Sequence, residues 1–419
     1  MRPPRISGPL LLLVLLLAVS NPAAGADWPQ WRGPQRDGHT AEPAPPGLDT
    51  ASEPLWKKPV GHGYASPVVA GNTVVILDAV GDQETAHAVN AADGKILWSA
   101  TVGPVFSDEF EPGPRSTPLV DGDRVYVQSA YGEFRCLGLA DGAVRWRFHF
   151  EDYGARWVTN RGANIGAATR RGNTGSPVVD GDRILVQVGS TNGAFMVAFD
   201  KRTGRELWKS QNDLATYTSP VIGQLAGRSQ CVTATCDGLL ALDPGDGAPL
   251  WRISFKTGAN RNVLTPVLLD DTVYFASHTT GLRATRVRRD DSAVAAEDAW
   301  LNRDLRINLS SPVAVGGHLY GLGANKTFVC VDRATGSVAW SQPGFGEVAS
   351  TLATADGHLL VLTDLGELLL LKATPERYEE VGRRQVCGKT YSHPAYANGV
   401  LYVRDPQELV AWRLQSPGS

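Results

Sequence analysis

Basic, amide and tyrosine side chains recur a few residues before successive Ser-Pro or Thr-Pro pairs. They also occur before the positions where such a pair is expected but altered. The members of this set are Arg115, Arg171, Asn173, Tyr217, Arg261, Asn262, Arg306, Asn308, Lys389 and Tyr391, with His62 and Tyr64 at the first such position. Guanidinium groups offer forks of donors that suit carboxylate or sulfate, so a convergent set would bind an anion. The other interpretation is a hydrated entrance in which these side chains satisfy loop carbonyls, or in which each arginine is already paired with a loop carboxylate such as Asp108, Glu109, Glu111 or Asp213. Both interpretations stay open.

Motifs for covalent or metal chemistry are missing from the chain. No G-x-S-x-G elbow occurs, and the eight histidines do not cluster at metal-ligand spacing. The long stretch 147–174 carries Arg156, Arg161 and Arg170 as well as Arg171. Its glycines lack the strand–loop–helix context of a phosphate cradle. We therefore predict no catalytic residue and no metal ligand.

Short strands separated by turns supply the elements that would position this polar set. In the stretch 175–208, runs rich in Val, Ile and Phe alternate with turns rich in Gly, Asp and Asn, which predicts three strands and the start of a fourth. A strand-opening proline recurs at Pro67, Pro118, Pro177, Pro220, Pro266, Pro312 and Pro394, and residues 350–352 fill the one gap in the series. Counting these openings predicts eight such units.

A glycine followed four residues later by tryptophan marks the end of most units. The pairs are Gly94 and Trp98, Gly142 and Trp146, Gly204 and Trp208, Gly247 and Trp251, and Gly336 and Trp340, with Trp56 alone near the start. An Asp or Asn before most of these glycines would accept hydrogen bonds from the turn, and the glycine would supply a positive φ. Each indole would cover the neighbouring unit, so we expect Trp208→Ala to cost roughly 3–5 kcal/mol of stability.

Units of four strands at intervals of about 40 to 50 residues predict an all-β fold, an eight-bladed β-propeller. Residues 55–60 match an outer strand but have no blade of their own, whereas the C-terminus supplies only three strands. We therefore predict that this N-terminal strand closes the last blade and removes two open sheet edges. In such a fold the residues before each inner strand surround the mouth of the axial channel, so the polar set should converge there.

The segments FDKRTGRELW and VDRATGSVAW resemble the Trp-docking repeat of the quinoprotein (PQQ-type) propellers. The resemblance covers residues 56–414, and the family also contains non-enzymatic members such as the outer-membrane assembly lipoprotein BamB. It implies either an exported binding or scaffold propeller, which we favour, or a PQQ-dependent alcohol or sugar dehydrogenase that uses Ca²⁺. A carbohydrate- or anion-binding propeller is a third alternative.

Enzymes of that family hold the quinone with an adjacent-cysteine disulfide or a similar stacking platform, bind Ca²⁺ through carboxylate and amide oxygens, and use an Asp base. This chain has no Cys-Cys pair, its predicted mouth positions contain no Asp, and Glu347 is the one carboxylate near them. We therefore predict no cofactor, with PQQ and Ca²⁺ as the alternative. A protein partner or a small anionic ligand is expected at the mouth.

The ends of the chain predict its destination. Residues 1–26 have a basic start, a short apolar run and an Ala-Gly-Ala ending, which is typical of a signal peptide cleaved near Ala26. The mature chain should be a periplasmic or secreted monomer without a transmembrane segment. Residues 27–54 would form an apolar, Pro-rich segment, 55–414 the propeller and 415–419 a tail. A net charge of −3 argues against a nucleic-acid partner.

Two smaller features complete the sequence-based predictions. The segment WPQWRGP, residues 28–34, is interpreted as an apolar plug packed on the propeller, with a binding element as the alternative. Cys136 and Cys330 occupy equivalent third-strand positions and should be buried. Cys231 and Cys236 lie along one strand, too far apart to pair unless the chain folds back.

Overall fold

The computed structural model describes residues 27–155, 171–258, 261–290 and 293–415. These residues form eight four-stranded antiparallel sheets, and all but one of the sheets are built from consecutive strands. The all-β, eight-bladed propeller predicted from the repeat is therefore confirmed. The predicted signal peptide 1–26 and residues 416–419 of the predicted tail lie outside the described residues.

The first four blades follow one another along the chain, each from its innermost to its outermost strand. Blade 1 contains Val68–Ala70, Thr73–Val80, Gln83–Asn90 and Ile96–Pro104. Blade 2 contains Leu119–Asp121, Arg124–Gln128, Glu133–Gly138 and Val144–His149. Blade 3 contains Val178–Asp180, Arg183–Ser190, Ala194–Asp200 and Glu206–Ser210. Blade 4 contains Val221–Leu225, Arg228–Thr235, Gly238–Leu242 and Pro249–Ser254.

The remaining blades complete the ring. Blade 5 contains Val267–Leu269, Thr272–Ser277, Gly281–Arg289 and Val294–Asn302, and blade 6 contains Val313–Val315, His318–Leu322, Thr327–Asp332 and Val338–Pro343. Blade 7 contains Ala349–Ala353, His358–Thr363, Glu367–Lys372 and Glu380–Gln385, and blade 8 contains Ala395–Ala397, Val400–Arg404, Glu408–Arg413 and Trp56–Pro59. Short 3-10 turns lie at Phe150–Tyr153 and Ala324–Lys326. Within the described ranges no helix is long and apolar enough to cross a bilayer.

Hydroxyl groups link the openings of neighbouring inner strands around the axis. The Ser176 hydroxyl accepts from the Thr117 N–H at 3.0 Å, and the Ser219 hydroxyl accepts from the Ser176 N–H at 2.9 Å. The same kind of bond joins the His393 N–H to Ser66 and the Thr265 N–H to Ser311. The Ser or Thr before most strand-opening prolines therefore connects adjacent blades, a role that the sequence analysis did not assign to it.

The N-terminal strand closes the ring as predicted. Trp56–Pro59 pairs antiparallel with Glu408–Arg413, so that Trp56 lies opposite Ala411 and Pro59 opposite Glu408. This pairing supplies the fourth strand of blade 8 and covers an edge that would otherwise carry unpaired backbone groups. The two ends of the propeller are thereby held in one sheet.

Most repeat tryptophans dock on the glycine turn of the following blade. A Cβ on Gly204 would lie 2.6 Å from the Trp146 ring, whose Nε1–H donates to the Lys201 carbonyl at 3.1 Å. The same arrangement places Gly94, Gly142, Gly247 and Gly336 against Trp56, Trp98, Trp208 and Trp300, respectively. Glycine is required here for two reasons: its φ is positive, and the indole occupies the place of a side chain.

Trp251 departs from this pattern, and Trp208 follows it but is less buried than Trp146. Trp251 faces blade 5, which lacks the usual turn, and its Nε1–H donates to the Gln230 amide oxygen of its own blade at 2.6 Å. Trp208 is only partly buried, whereas Trp146 is 9% exposed. The expected loss for Trp208→Ala is therefore revised downwards, because less apolar surface leaves water at that site.

Residues 28–40 fold into the axial channel as a plug that is polar as well as apolar. The Trp28 indole stacks on His393, and its backbone pairs with Val69. Arg32 and Arg36 are at most 2% exposed, and they donate to the Pro312 and Pro177 carbonyls at 2.6 Å. Burial lowers the pKa of the Arg32 guanidinium to about 10 and that of Arg36 to about 9. An arginine-bearing plug thus ties the inner strands of blades 6 and 3 together.

The cysteines serve packing in this fold. None of the five forms a disulfide, and Cys136, Cys231, Cys236 and Cys330 are buried. Burial raises the pKa of the Cys231 thiol to about 12, so the reactive thiolate form is disfavoured.

Candidate ligand site at the propeller mouth

The crossings between blades meet at one end of the axis and surround a cavity, the mouth well. The cavity encloses about 350 Å³. It is lined by Trp31, Tyr64, Phe110, Arg115, Arg171, Thr174, Ser176, Tyr217, Ser219, Arg261, Val263, Thr265, Asn308, Leu309, Ser311, Val348 and Tyr391. The structure therefore brings together Arg115, Arg171, Tyr217, Arg261, Asn308 and Tyr391 of the predicted set, and Tyr64 beside them.

The plug forms the floor of the mouth well. The Trp31 Nε1–H donates to the Thr265 hydroxyl at 2.8 Å, at the opening of the blade 5 inner strand. The cavity is also lined by the serines that precede the inner strands of other blades, Ser176, Ser219 and Ser311. A ligand in the mouth well would rest on an indole and a set of hydroxyl groups. The plug and binding-element interpretations of residues 28–34 are therefore compatible.

Two of the predicted arginines pair with loop carboxylates, which was the alternative to a free anion site. Arg115 donates to Asp108 at 2.9 and 3.2 Å, and Arg171 lies 3.2 Å from Asp108 and 2.6 Å from Glu109. Burial by itself raises the pKa of Asp108, but hydrogen bonds from both arginines and from the Phe110 N–H hold it below its ordinary value. The expectation of a mouth without Asp is therefore corrected. Glu347, the carboxylate expected near the mouth, pairs with Lys326 at 2.7 Å.

A buried glutamate holds the crossing that carries these carboxylates. The Glu84 side chain accepts the Phe106 N–H at 3.2 Å and the Ala130 N–H at 2.9 Å. Burial raises the pKa of Glu84 to about 7, although the two N–H donors and Arg115 oppose the rise. This carboxyl group links blade 1 to the crossing and to blade 2, and so positions Asp108 indirectly.

Arg261 differs from the other two arginines because no carboxylate pairs with it among the described residues. Its Nη2 donates to the Asn308 amide oxygen at 2.8 Å, and its Nε has no hydrogen-bond partner within that part of the chain. Burial lowers the pKa of Arg261, Tyr217 partly offsets this, and the nearby Arg171 lowers it further. With Asp108 and Glu109 set against Arg115 and Arg171, the described residues of the mouth well leave one positive charge, that of Arg261.

Aromatic rings build much of the wall around these charges. Tyr64 and Tyr391 stack with ring centroids 5.7 Å apart, and the Arg171 guanidinium lies 4.3 Å from the centre of the Phe110 ring. Burial raises the pKa of the Tyr217 phenol to about 12, against the opposing influence of the arginines. A concave, largely aromatic wall with a few convergent polar groups is typical of a ligand site.

A second cavity, the mouth groove, adjoins the mouth well and has the opposite charge. It encloses about 420 Å³ and is lined by Gly63, Tyr64, Glu109, Phe110, Glu111, Lys389, Thr390, Tyr391, Ser392, Asp405 and Pro406. Three carboxylates outnumber Lys389, the one lysine of this lining. The arginines of the mouth thus line the well and the carboxylates line the groove, whereas the sequence predicted a predominantly basic ring.

The other predicted residues lie outside the mouth well. Asn262 is buried and donates to the Thr235 carbonyl at 2.8 Å, and Asn173 is buried too. Arg306 is exposed and its Nε donates to the Arg303 carbonyl. Lys389 lines the mouth groove instead. Arg156, Arg161 and Arg170, which the sequence analysis singled out, lie outside the described residues.

The donor set at the mouth does not suit the quinone and Ca²⁺ pair of the family's enzymes. Calcium takes six to eight oxygen ligands. Asp108 and Glu109 face arginines, and Glu111 contacts His62. In the described ranges no group of three or more His, Cys, Asp or Glu side chains could hold a metal ion. The residues present therefore do not fit that pair.

Comparison with known proteins places this fold beside one family. The family model described as "Outer membrane protein assembly factor BamB" matches residues 47–165, 82–342 and 297–416. The protein of that name from Burkholderia pseudomallei is 24% identical over 329 residues, which span 74% of each chain. That from Moranella endobia is 24% identical over 234 residues, 54% of this chain and 56% of the relative.

A solved structure shows the same fold at lower identity. The crystal structure of BamB from Moraxella catarrhalis is similar with a TM-score of 0.58 and 15% identity. The match covers 85% of this chain and 100% of that one. Likeness at this level of identity concerns the arrangement of the blades and not the residues of the mouth.

Proposed function

We propose that this chain, which belongs to the family of the outer membrane protein assembly factor BamB, is an exported, BamB-like scaffold. It docks a protein partner on its mouth face. The mouth face is the end of the propeller that carries the crossings and the turns between second and third strands. The scaffold is non-catalytic in this proposal. Export follows from the signal-like residues 1–26, and N-terminal sequencing of the exported protein should begin near Asp27.

The distribution of exposed apolar side chains on the mouth face carries the proposal. Val80, Phe110, Leu309 and Leu365 stand on this face and are 51, 50, 39 and 58% exposed, respectively. They surround the arginines and carboxylates of the mouth well and mouth groove. Apolar anchors among polar groups are the usual composition of a protein interface.

Site-specific crosslinking in the bacterium that produces the protein tests this role. A photo-reactive amino acid in place of Leu309 should crosslink to a component of the outer-membrane protein assembly machinery. The matched control is Val144, which is also exposed but lies at the start of an outer strand. Deleting the gene should lower the yield of outer-membrane proteins. Equal crosslinking from both positions, or crosslinks only to unrelated proteins, would contradict the proposal.

We also propose that the mouth binds no PQQ, because its carboxylates are engaged and the chain lacks a Cys-Cys pair. Calorimetric titration of the purified protein with PQQ and Ca²⁺ should show no saturable heat. Saturable binding at micromolar concentration, together with dye reduction on addition of an alcohol, would instead support the dehydrogenase alternative. Light scattering in the same preparation should report a monomer.

A further inference from the structure

We infer that the mouth well is a receptor for one carboxylate with an apolar group beside it, supplied by an Asp or Glu in an extended segment of the docked partner. This inference rests on the proposed function for the source of the ligand. It goes further in naming the chemistry that is recognised and the residue, Arg261, that recognises it. The mouth well, rather than the whole mouth face, then determines which partner segment is accepted.

The described residues of the mouth well leave one positive charge, which suits one carboxylate of the ligand. Arg115 is 6% exposed at its side chain and holds Asp108, which itself is 1% exposed, so neither group is free to bind a ligand. Arg171 is held by Asp108 and Glu109. Arg261 has no carboxylate partner among the described residues, and neither neighbour outside them, Ala259 or Asn260, is acidic. The stretch 156–170, which also lies outside the described residues, contains three arginines and no acidic residue, so it offers no carboxylate to compensate Arg261.

Arg261 is positioned as a receptor and not as a mobile surface charge. Asn308 holds one end of its guanidinium at 2.8 Å, and the Thr257 hydroxyl bonds both the backbone N–H and the carbonyl of Arg261, at 2.7 and 2.8 Å. Its Nε is buried without a partner in the described structure. A guanidinium fixed in this way loses little further freedom when it forms a forked pair with a carboxylate.

The neighbours of Arg261 explain the apolar part of the ligand. Val263, Leu309 and Val348 line the same cavity, together with the Trp31 indole at its floor. A volume of about 350 Å³ is at the low end for small-molecule sites and suits a side chain or two. A fully hydrated anion such as sulfate would leave this apolar wall unused.

Continuity with the mouth groove favours a peptide over a free acid. The mouth well and the mouth groove share Tyr64, Phe110 and Tyr391, so an extended chain can occupy both. The groove is lined by Glu109, Glu111 and Asp405. Each already has partners within the chain, but their charge favours a basic side chain of the same segment. Opposite charges in adjoining cavities also fix the direction in which the segment lies.

Fluorescence anisotropy with two labelled peptides tests the inference. The probe is Gly-Lys-Ser-Gly-Phe-Asp-Gly-Ser with blocked ends, and its matched partner carries Asn in place of Asp. We expect the Asp peptide to bind the wild-type protein at least about tenfold more tightly than the Asn peptide, as for a hydrogen-bonded charged group. Added salt should weaken the binding of the Asp peptide.

Protein variants assign the effect to Arg261. Arg261→Gln should lower the affinity for the Asp peptide about tenfold and leave that for the Asn peptide nearly unchanged, whereas Arg261→Lys should give an intermediate affinity. Arg306→Gln is the control, because Arg306 is exposed and lies outside the mouth well. Thermal melts establish that each variant is folded. Equal affinities for the two peptides, or no effect of Arg261→Gln, would overturn the inference.

Further outcomes separate this inference from the proposed function. N-acetylphenylalanine should compete far more weakly than the Asp peptide, and equal competition would show a small-acid site and overturn the peptide assignment. If crosslinking from Leu309 succeeds while the Asp peptide fails to bind, the partner docks at the mouth without placing a carboxylate on Arg261, and only the present inference fails. If the Asp peptide binds through Arg261 but Leu309 crosslinks to no assembly component, the receptor stands and the proposed function fails.

Discussion

At the scale of single residues, the indoles between blades carry a large share of the stability. Trp146 stacks on Phe134 with ring centroids 5.6 Å apart and covers Gly204 of the next blade. Trp146→Ala should therefore cost roughly 3–5 kcal/mol, because a cavity opens between blades 2 and 3. Trp208→Ala, at a partly exposed indole, should cost less. Urea unfolding of both variants measures the two losses, and equal losses would contradict the dependence on burial.

The carboxyl group of Glu84 should make stability depend on pH. Burial raises its pKa to about 7 in the folded protein, against 4.5 for an ordinary Glu. The folded state thus retains a proton that the unfolded chain releases, and this contribution is present below pH 4.5 and is lost as the pH rises through about 7. Compared with wild type, Glu84→Gln should remove that decline in the urea midpoint. Parallel pH profiles for the two proteins would show that Glu84 does not titrate in this range.

The individual residues of the mouth were only partly predictable from sequence. Arg115, Arg171 and Arg261 were found because each precedes an inner strand, whose start is marked by proline. Asp108 was named only as one of several possible partners of the arginines, because it lies early in a long crossing and a loop's residue pattern does not show where the loop folds back. Arg306 occupies the expected position but its side chain is exposed, since a few residues of irregular backbone can point in any direction.

At the scale of elements, the plug replaces what would be an open axial channel. Arg32 and Arg36 donate to backbone carbonyls of blades 6 and 3, and Trp28 packs on His393 of blade 8. A chain that begins at residue 41 keeps the closing strand but loses these contacts. Its melting temperature should fall by at least about 5 °C, given the burial of Trp28 and both arginines. An unchanged melting temperature would mean that the plug merely fills space.

The path of the plug could not be predicted, although its sequence drew attention. Trp28 and Trp31 indicated an apolar segment, but arginines normally predict an exposed one. The burial of Arg32 and Arg36 depends on hydrogen bonds to the carbonyl groups of Pro312 and Pro177. These carbonyls are distant from the plug in sequence and come near it only once the ring has closed. The outer strands, in contrast, were predictable because Gly and Trp recur at fixed spacing within each blade.

At the scale of the whole molecule, the ring was predictable because one local pattern is repeated and a repeat needs neighbours to cover its two faces. The number of blades followed from the strand-opening prolines, and the closure followed from a strand without a blade. The repeat pattern does not determine the structure of the channel interior or of the loops between blades. There the plug, the hydroxyl links and the divided charge of the mouth arise from contacts between blades.

Closure by the N-terminal strand should make the eight blades unfold together. Trp56 pairs across from Ala411, contacts Tyr402 and covers Gly94, so it belongs to blade 8 and to the junction with blade 1. Without this strand the ring has two end blades, and a linear array can lose blades from its ends. A chain that begins at residue 61 should therefore melt at a lower temperature and over a broader range than the chain from residue 41. In calorimetry, the ratio of calorimetric to van 't Hoff enthalpy should be close to one for the full mature chain and clearly higher for the chain from residue 61. If both truncated chains melt equally sharply, the hydroxyl links around the axis hold the ring together, and the strand contributes only its own contacts.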